Sequence, residues 1–345
     1  MRYYILLLST MLLLAKTGMV SATPLSSNDT TQLSCKDNAA HLLEEALNIM
    51  QKNYYKRTAI SWEDLRGTAT ERLASAGSCE EAFEVITWCL SQLDEKHSYI
   101  MPTPKAAVYN YDTTLLVSRP ALKLLTGEIK AELIDDSIGY ISVPWISTTD
   151  SVICTLLADS LQNAIARLDQ QGVSKWIVDL RKNTGGNCWP MLAGIGPLLG
   201  DGTCGYFISD NSKIAISYRN GASYQGRYVR CQATGNGYRT RVNSKRIAVL
   251  TGSQTSSSGE LLALAFKGKD QTYIYGEPTA GLTTANATYT LSDHSMLVLT
   301  VCREADRTGK ICFGKVQPDE KVSTAGCGKY EDPVKGAALM WLQSF

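Results

Sequence analysis

The sequence predicts an α/β (α+β) fold in which a parallel sheet flanked by helices follows an N-terminal helical unit. Three observations carry that class. From residue 138 to 199, strand-like and helix-like stretches alternate: "IGYISVPWI", "SVICTLLADSLQNAIARLDQQG", "KWIVDL" and "MLAGIGPLL". This β-α-β-α order needs crossover helices, which bring successive strands back parallel. A further strand-to-helix passage follows at "RIAVLT", Arg246 to Thr251, with Leu261, Leu262, Ala265 and Phe266 at helical spacing beyond it. Residues 36–95, by contrast, carry helical periodicity alone.

The elements follow in order. Arg2, the apolar "ILLLSTMLLLA" and the small-residue "VSATP" predict a signal peptide over residues 1–22, cleaved after Ala22. No later stretch is long and apolar enough to span a bilayer. Residues 23–98 form the helical unit. "AAHLLEEALNIMQKNYY" sets His41, Leu42, Ala46 and Ile49 on one stripe. "SWEDLRGTATERLASA" opens with Ser61 and places Asp64 three residues on, an approximate capping box. "CEEAFEVITWCLSQL" continues the pattern. Residues 99–136 are predicted to be connecting strands and loops, and 137–345 the core. Within the core, 204–242 are rich in Tyr, Gly, Asn and Arg and are expected to form an antiparallel insertion. "TYIYG" and the alternating "SMLVLTVC" predict strands. "PVKGAALMWLQ" predicts a closing helix with Pro333 in its first turn.

Composition narrows the function classes. With 34 Lys and Arg against 33 Asp and Glu, the net charge is +1. No basic block points to nucleic acid and no acidic tail to a solvating arm. All ten cysteines lie beyond residue 22, and an even count in an exported chain favours disulfides. Cys188 with Cys204 and Cys302 with Cys312 are the local pairs. Without a C-x-x-C pair or Cys/His cluster, structural zinc is not expected.

Three places carry candidate chemistry. "TSSSGE", residues 255–260, stands where a strand passes into a helix. A nucleophile there gains from exposed N–H groups and the helix dipole. The same residues read equally as a cap, since Ser257 and Glu260 have capping-box spacing. "DLRKNTGG" ends a buried strand with Gly185 and Gly186, which can turn sharply and present bare N–H groups to an oxyanion, or simply make a turn. It lacks P-loop spacing. Of the three histidines, His41 belongs to a helix stripe and His294 to the turn-like "LSDHSM". His97, in "DEKHSYI", follows a helix where the chain enters a new unit.

The stretches "DEKHSYI", "GYISVPWI", "WIVDLRKNTGG", "IAVLTGSQTSSSGELLALAFKG" and "GEPTAGLTTAN" occur in this order over roughly residues 90–320. In them the chain resembles the C-terminal (tail-specific) processing serine peptidases. The resemblance implies a Clp protease/crotonase-like core without cofactor or metal, and an extended polypeptide as substrate. It makes Ser257, three residues before the glutamate of the family's "TASxxE", the nucleophile. Ser258, Gly185 and Gly186 become oxyanion donors, and Glu260 a structural glutamate.

Two departures select a branch. Leu282 stands in "GEPTAGLTT" where the best-known branch has its lysine base, and residues 98–137 are too few for that branch's PDZ domain. Both features point to the histidine-dependent, tricorn-core-like branch, with "DEKHS" supplying His97 as base, although Asp94 is one residue farther from it than in the common motif. An imidazole suits deprotonation of serine near neutral pH. The branch's glutamate, six residues before the proline of "VQPD", falls on Cys312. Asp306, in "READRTGK", is the nearest substitute acid, and it reads equally as a turn residue. Ser98 or a backbone carbonyl are other ways to orient the imidazole. The implied function is an exported serine endopeptidase acting through an acyl-enzyme. The alternative is a catalytically inactive binding protein on the same fold. An acyl-CoA enzyme of that fold is disfavoured by the export signal and the cysteines.

Overall fold

The computed structural model describes residues 35–75, 81–102, 125–241, 246–323 and 332–344. The expected signal peptide, Asn28, Cys79, Cys327 and residues 103–124 of the connection lie outside the described residues. Among the described residues no helix is long and apolar enough to cross a membrane.

Helices α1 (Cys35–Asn53), α2 (Trp62–Ala74) and α3 (Glu81–Ser91) come first. Their buried side chains, among them Leu43, Leu47, Met50 and Ile86, share one core with Leu297 and Leu299. Those two leucines belong to strand β12 (Met296–Ala305), so the helical unit closes on a strand from far along the chain. His41 is exposed. His294 has φ 67° in the turn before β12, with its N–H bonded to the Leu291 carbonyl.

Two sheets follow. One runs β13-β10-β9-β4-β3-β2 and comprises β2 (Ala131–Leu133), β3 (Ile138–Ser142), β4 (Lys175–Asp179), β9 (Arg246–Thr251), β10 (Thr272–Gly276) and β13 (Glu320–Lys321). All adjacent pairs are parallel except β2 with β3. Helices α4 (Ser151–Gln170), α5 (Cys188–Leu199) and α6 (Ser258–Phe266) share a core with one face, through Trp176, Val178, Ile247 and Val249. Helix α7 (Pro333–Gln343) packs on the other, against Ile177, Ala248 and Leu250. Alternate residues thus point to opposite apolar layers, which is why "KWIVDL" and "RIAVLT" are continuously apolar. β4 and β9 are neighbours in register, Val178 opposite Val249 and Asp179 opposite Leu250. Their carboxyl ends therefore deliver the glycine turn and the serine turn side by side.

The second sheet runs β1-β12-β5-β6-β7-β8, with β11 (Thr284–Thr290) on the other side of β12. It contains β1 (Tyr99–Met101), β5 (Gly202–Ser209), β6 (Ser212–Arg219), β7 (Ala222–Gln225) and β8 (Tyr228–Gln232). In the stretch 204–242, where an antiparallel insertion is expected, β5 to β8 pair antiparallel in sequence order. β5 pairs with Arg303 to Ala305 of β12 and joins a larger sheet.

The local disulfides are not formed. Cys188, Cys204, Cys302 and Cys312 are free, as are Cys89, Cys154 and Cys231. Burial pushes the Cys204 thiol up to about 11 and the Cys302 thiol up to about 12. These side chains fill apolar layers as small hydrophobic groups do.

Candidate active site

The glycine turn is built on Asn183, which is fully buried. Its Nδ2 donates to the Val143 and Pro144 carbonyls at 3.1 and 3.2 Å, and its Oδ1 accepts from the Gly185 N–H at 2.9 Å. The Asn183 carbonyl accepts from the Ser256 N–H, tying this turn to the serine turn. Gly185 and Gly186 sit at φ 100° and 103°. A Cβ on Gly185 would stand 2.8 Å from Ser257 Cβ, and one on Gly186 would stand 2.0 Å from the Ile146 carbonyl oxygen. Only glycine meets both the backbone angle and the space.

Ser257 is the residue before α6, and its backbone is held at φ 50°, ψ −118°. A serine in that region is strained, and such strain concentrates at functional turns. Glu260 holds it there. One carboxylate oxygen accepts from the Ser257 N–H at 2.9 Å and the Leu282 N–H at 2.8 Å; the other accepts from the Gly281 N–H at 2.8 Å and from the Thr279 hydroxyl. Burial raises the Glu260 pKa, and these donors offset the effect only in part. Leu282 thus contributes its backbone to this clamp and lines the groove with its side chain.

The clamp fixes the loop leading into β11, whose first residue, Thr284, meets His97. His97 Nε2 lies 3.0 Å from Ser257 Oγ, and its Nδ1 lies 2.9 Å from Thr284 Oγ1. Two acids were within reach of sequence reasoning, and neither contacts the imidazole. Asp94 is exposed and pairs with Lys56 at 2.7 Å. Asp306 accepts from the Thr308 N–H and hydroxyl and from the Lys310 N–H, closing the turn after β12. This corrects its expected place beside His97: three local donors within four residues hold the carboxylate in its own turn.

The orienting groups come from elsewhere. The Glu95 carboxylate accepts from the Ser98 N–H at 3.0 Å and the Thr300 hydroxyl at 3.0 Å, and it also accepts from the His97 N–H. Asn286 donates to the His97 carbonyl at 2.8 Å and accepts from the Thr300 hydroxyl at 2.9 Å. Asn286 heads an N-x-T glycosylation sequon (Asn286-Ala287-Thr288), and its amide is engaged inside the site. Burial lowers the His97 pKa, opposed in part by the negative charge of Glu95 and by a hydrogen bond to the Thr284 backbone.

Of the expected oxyanion donors, two N–H groups are free. Neither the Gly186 N–H nor the Ser258 N–H, at the first position of α6, finds a partner among the described residues. The Ser258 hydroxyl donates to the Gly186 carbonyl at 2.6 Å, locking the two segments together. The Gly185 N–H is already bonded to Asn183, so Gly185 supplies clearance for Ser257 rather than a donor. His97, Gly186, Ser257 and Ser258 open into a groove of about 1040 Å³, which β11 and β8 also line. Among the described residues no group of three or more His, Cys, Asp or Glu is placed to hold a metal ion.

Comparison with known proteins gives this arrangement its relatives. Residues 137–322 match the model of Peptidase family S41. The chain is 32% identical over 217 residues to the nisin-resistance protein of Lactococcus lactis subsp. lactis, covering 62% of this chain and 63% of that protein. It is 28% identical over 216 residues to the chloroplastic carboxyl-terminal-processing peptidase 2 of Arabidopsis thaliana, covering 59% of this chain and 36% of that one. The chain thus spans less than two thirds of the length of either relative. A lipoprotein from Streptococcus agalactiae shares the fold with a TM-score of 0.71 at 23% identity, over 89% of this chain and 96% of that one. The photosystem II D1 C-terminal processing protease does so with a TM-score of 0.55 at 18% identity, over 88% and 97%. The Clp protease/crotonase-like core, the strand-to-helix serine turn and the family match converge: the chain belongs to peptidase family S41, the family of the C-terminal processing serine peptidases.

Proposed function

We propose that the protein is an exported serine endopeptidase in which Ser257 is the nucleophile and His97 the general base. The observation that carries this reading is the 3.0 Å contact from His97 Nε2 to Ser257 Oγ, with Thr284 on the other ring nitrogen. With Nδ1–H donating to Thr284 Oγ1, Nε2 is left as the acceptor for the serine proton. Ser257 Oγ attacks the peptide carbonyl as its proton passes to Nε2. The Gly186 and Ser258 N–H groups receive the oxyanion, and the same proton leaves with the amine product. Water then enters by the same path and releases the acyl group. Glu95 stabilises the imidazolium through its negative charge while it exists.

The substrate binds extended. Among the described residues β11 pairs with β12 on one side only, and its other edge borders the groove. A peptide strand can add there through main-chain hydrogen bonds. The signal sequence, the lipoprotein neighbour and the nisin-resistance relative support action outside the cytoplasm. Nisin is accordingly the first peptide to assay. A fluorophosphonate probe tests the chemistry: wild-type protein is labelled at Ser257 and Ser257→Ala is not. Labelling that survives the substitution, or wild-type protein that neither labels nor cleaves any peptide, removes the assignment and favours a binding protein.

A further inference from the structure

Glu304 has no part in the chemistry above, and its setting is unusual. It lies near the end of β12, 3% exposed. Its Oε2 is buried without a hydrogen-bond partner. Glu304 nevertheless lines the active-site groove, together with Cys188, Trp189, Phe207, Ser258 and Leu261. Phe207 is its cross-strand neighbour on β5 and packs edge-on against Trp189, with ring centroids 6.1 Å apart. Trp189, Phe207 and Leu261 thus give the groove an apolar stretch shared with the oxyanion donor Ser258 and with an acid that has an unpartnered oxygen.

An unpartnered carboxyl in apolar surroundings is costly. Among the described residues no side-chain hydrogen bond of Glu304 closes a turn or holds a loop, unlike those of Glu260 and Asp306. A ligand group is the natural partner. The residue whose carbonyl oxygen sits between the Gly186 and Ser258 amides carries its side chain on the Cα next to that carbonyl carbon, in the same groove as Glu304. We propose that Glu304 is the floor of the primary specificity pocket and that the enzyme accepts a lysine or arginine side chain immediately before the cleaved bond. The long alkyl stem lies along Trp189, Phe207 and Leu261 while the cation meets the carboxylate.

The charge balance closes. Burial, with a smaller contribution from the neighbouring Glu260, pushes the Glu304 carboxyl well above the usual carboxylate range. A cationic side chain beside it opposes that shift and favours the charged carboxylate. The other titratable groups around it are the Cys188, Cys302 and Cys312 thiols, all pushed up by burial and uncharged. Arg230 stands exposed over the Trp189 ring at 5.3 Å, where water and salt screen it. Lysine peptides should therefore bind more tightly as pH rises, and leucine peptides should not.

This inference rests on the Ser257 reading for the position of the scissile bond, so its test has two arms. In the first, quenched-fluorescent peptides differing only in Lys, Arg, Leu or Glu before the cleaved bond are compared by kcat/KM. Wild-type protein should prefer Lys and Arg over Leu by about thirtyfold or more, and Glu304→Leu and the isosteric Glu304→Gln should bring that ratio toward one. In the second, the Ser257→Ala protein is titrated with the same peptides by fluorescence anisotropy, which needs no turnover. Lysine-selective binding without cleavage or labelling by wild-type protein would sink the peptidase reading and leave the pocket standing. Equal affinity for the Lys and Leu peptides, or selectivity that survives both Glu304 substitutions, overturns the pocket.

Discussion

Thr284→Val removes one hydroxyl and keeps the volume and branching of the side chain. In the native site that hydroxyl lies 2.9 Å from His97 Nδ1. During acylation the imidazole becomes cationic, and the bond then changes from a neutral to a charge-assisted one. Hydrogen bonds to charged groups contribute about 1.5–3 kcal/mol. At 1.36 kcal/mol per factor of ten, losing this one slows the chemical step about 10- to 150-fold. The reduction should appear in kcat, because the bond strengthens only as charge develops. Thr284→Ser, which restores the oxygen, should recover most of the rate. Steady-state and single-turnover kinetics on one peptide would check both variants. A Thr284→Val enzyme within about threefold of wild-type kcat would refute the orienting role. It would assign that role to the Thr284 backbone and Glu95.

Other outcomes follow from the same geometry. Burial lowers the His97 pKa and the base works only when neutral, so kcat/KM should rise with pH through an apparent pKa below the ordinary value of about 6.5 and then level off. A rising limb centred above that value would contradict the assignment. The same shift makes the folded state lose stability as pH falls from about 6.5 through the folded pKa, because the unfolded chain binds the proton more readily. Gly186→Ala places a methyl 2.0 Å from the Ile146 carbonyl oxygen at φ 103° and must displace an oxyanion donor. Its kcat should fall by about 10²–10³ while circular dichroism shows a folded protein. Glu260→Ala strips the acceptor from three backbone N–H groups and one hydroxyl in a buried site. Urea unfolding should show a loss of about 3 kcal/mol or more at unchanged m. A loss under about 1 kcal/mol would mean that water reaches those donors.

The parts of the site that lie within single strand-to-helix passages were legible. "KWIVDL" and "RIAVLT" are continuously apolar because both their faces are covered, and each runs into a turn whose residues suit only special geometry. The two turns could therefore be singled out from residue type and spacing, and the resemblance to the C-terminal processing peptidases chose Ser257 and Ser258 within the second. Glu260 was legible as a capping partner, and its additional hold on Gly281 and Leu282 was not. β11 was hidden because "TTANATYT" buries neither face fully and shows no clean alternation. The division of labour between Gly185 and Gly186 was also hidden, since two adjacent glycines look alike until one N–H is seen to bond to Asn183.

What the sequence determined by itself is the order of elements and the two turns that follow buried strands, one rich in glycine and one in serine. These depend on local periodicity and on residues only a few positions apart. What only the tertiary structure decided is the company His97 keeps. Thr284 and Asn286 reach it from 187 and 189 residues away in sequence, both on β11. Asp306, the substitute acid singled out from a distance in sequence, proved to be held by its own turn. The physical reason is that a β-strand places side chains by register with its neighbour, and register is set by pairing across the sheet. The pairing of β1 with β12, Tyr99 opposite Val298, is what brings His97 to the serine turn, and no local pattern in "DEKHSYI" encodes it.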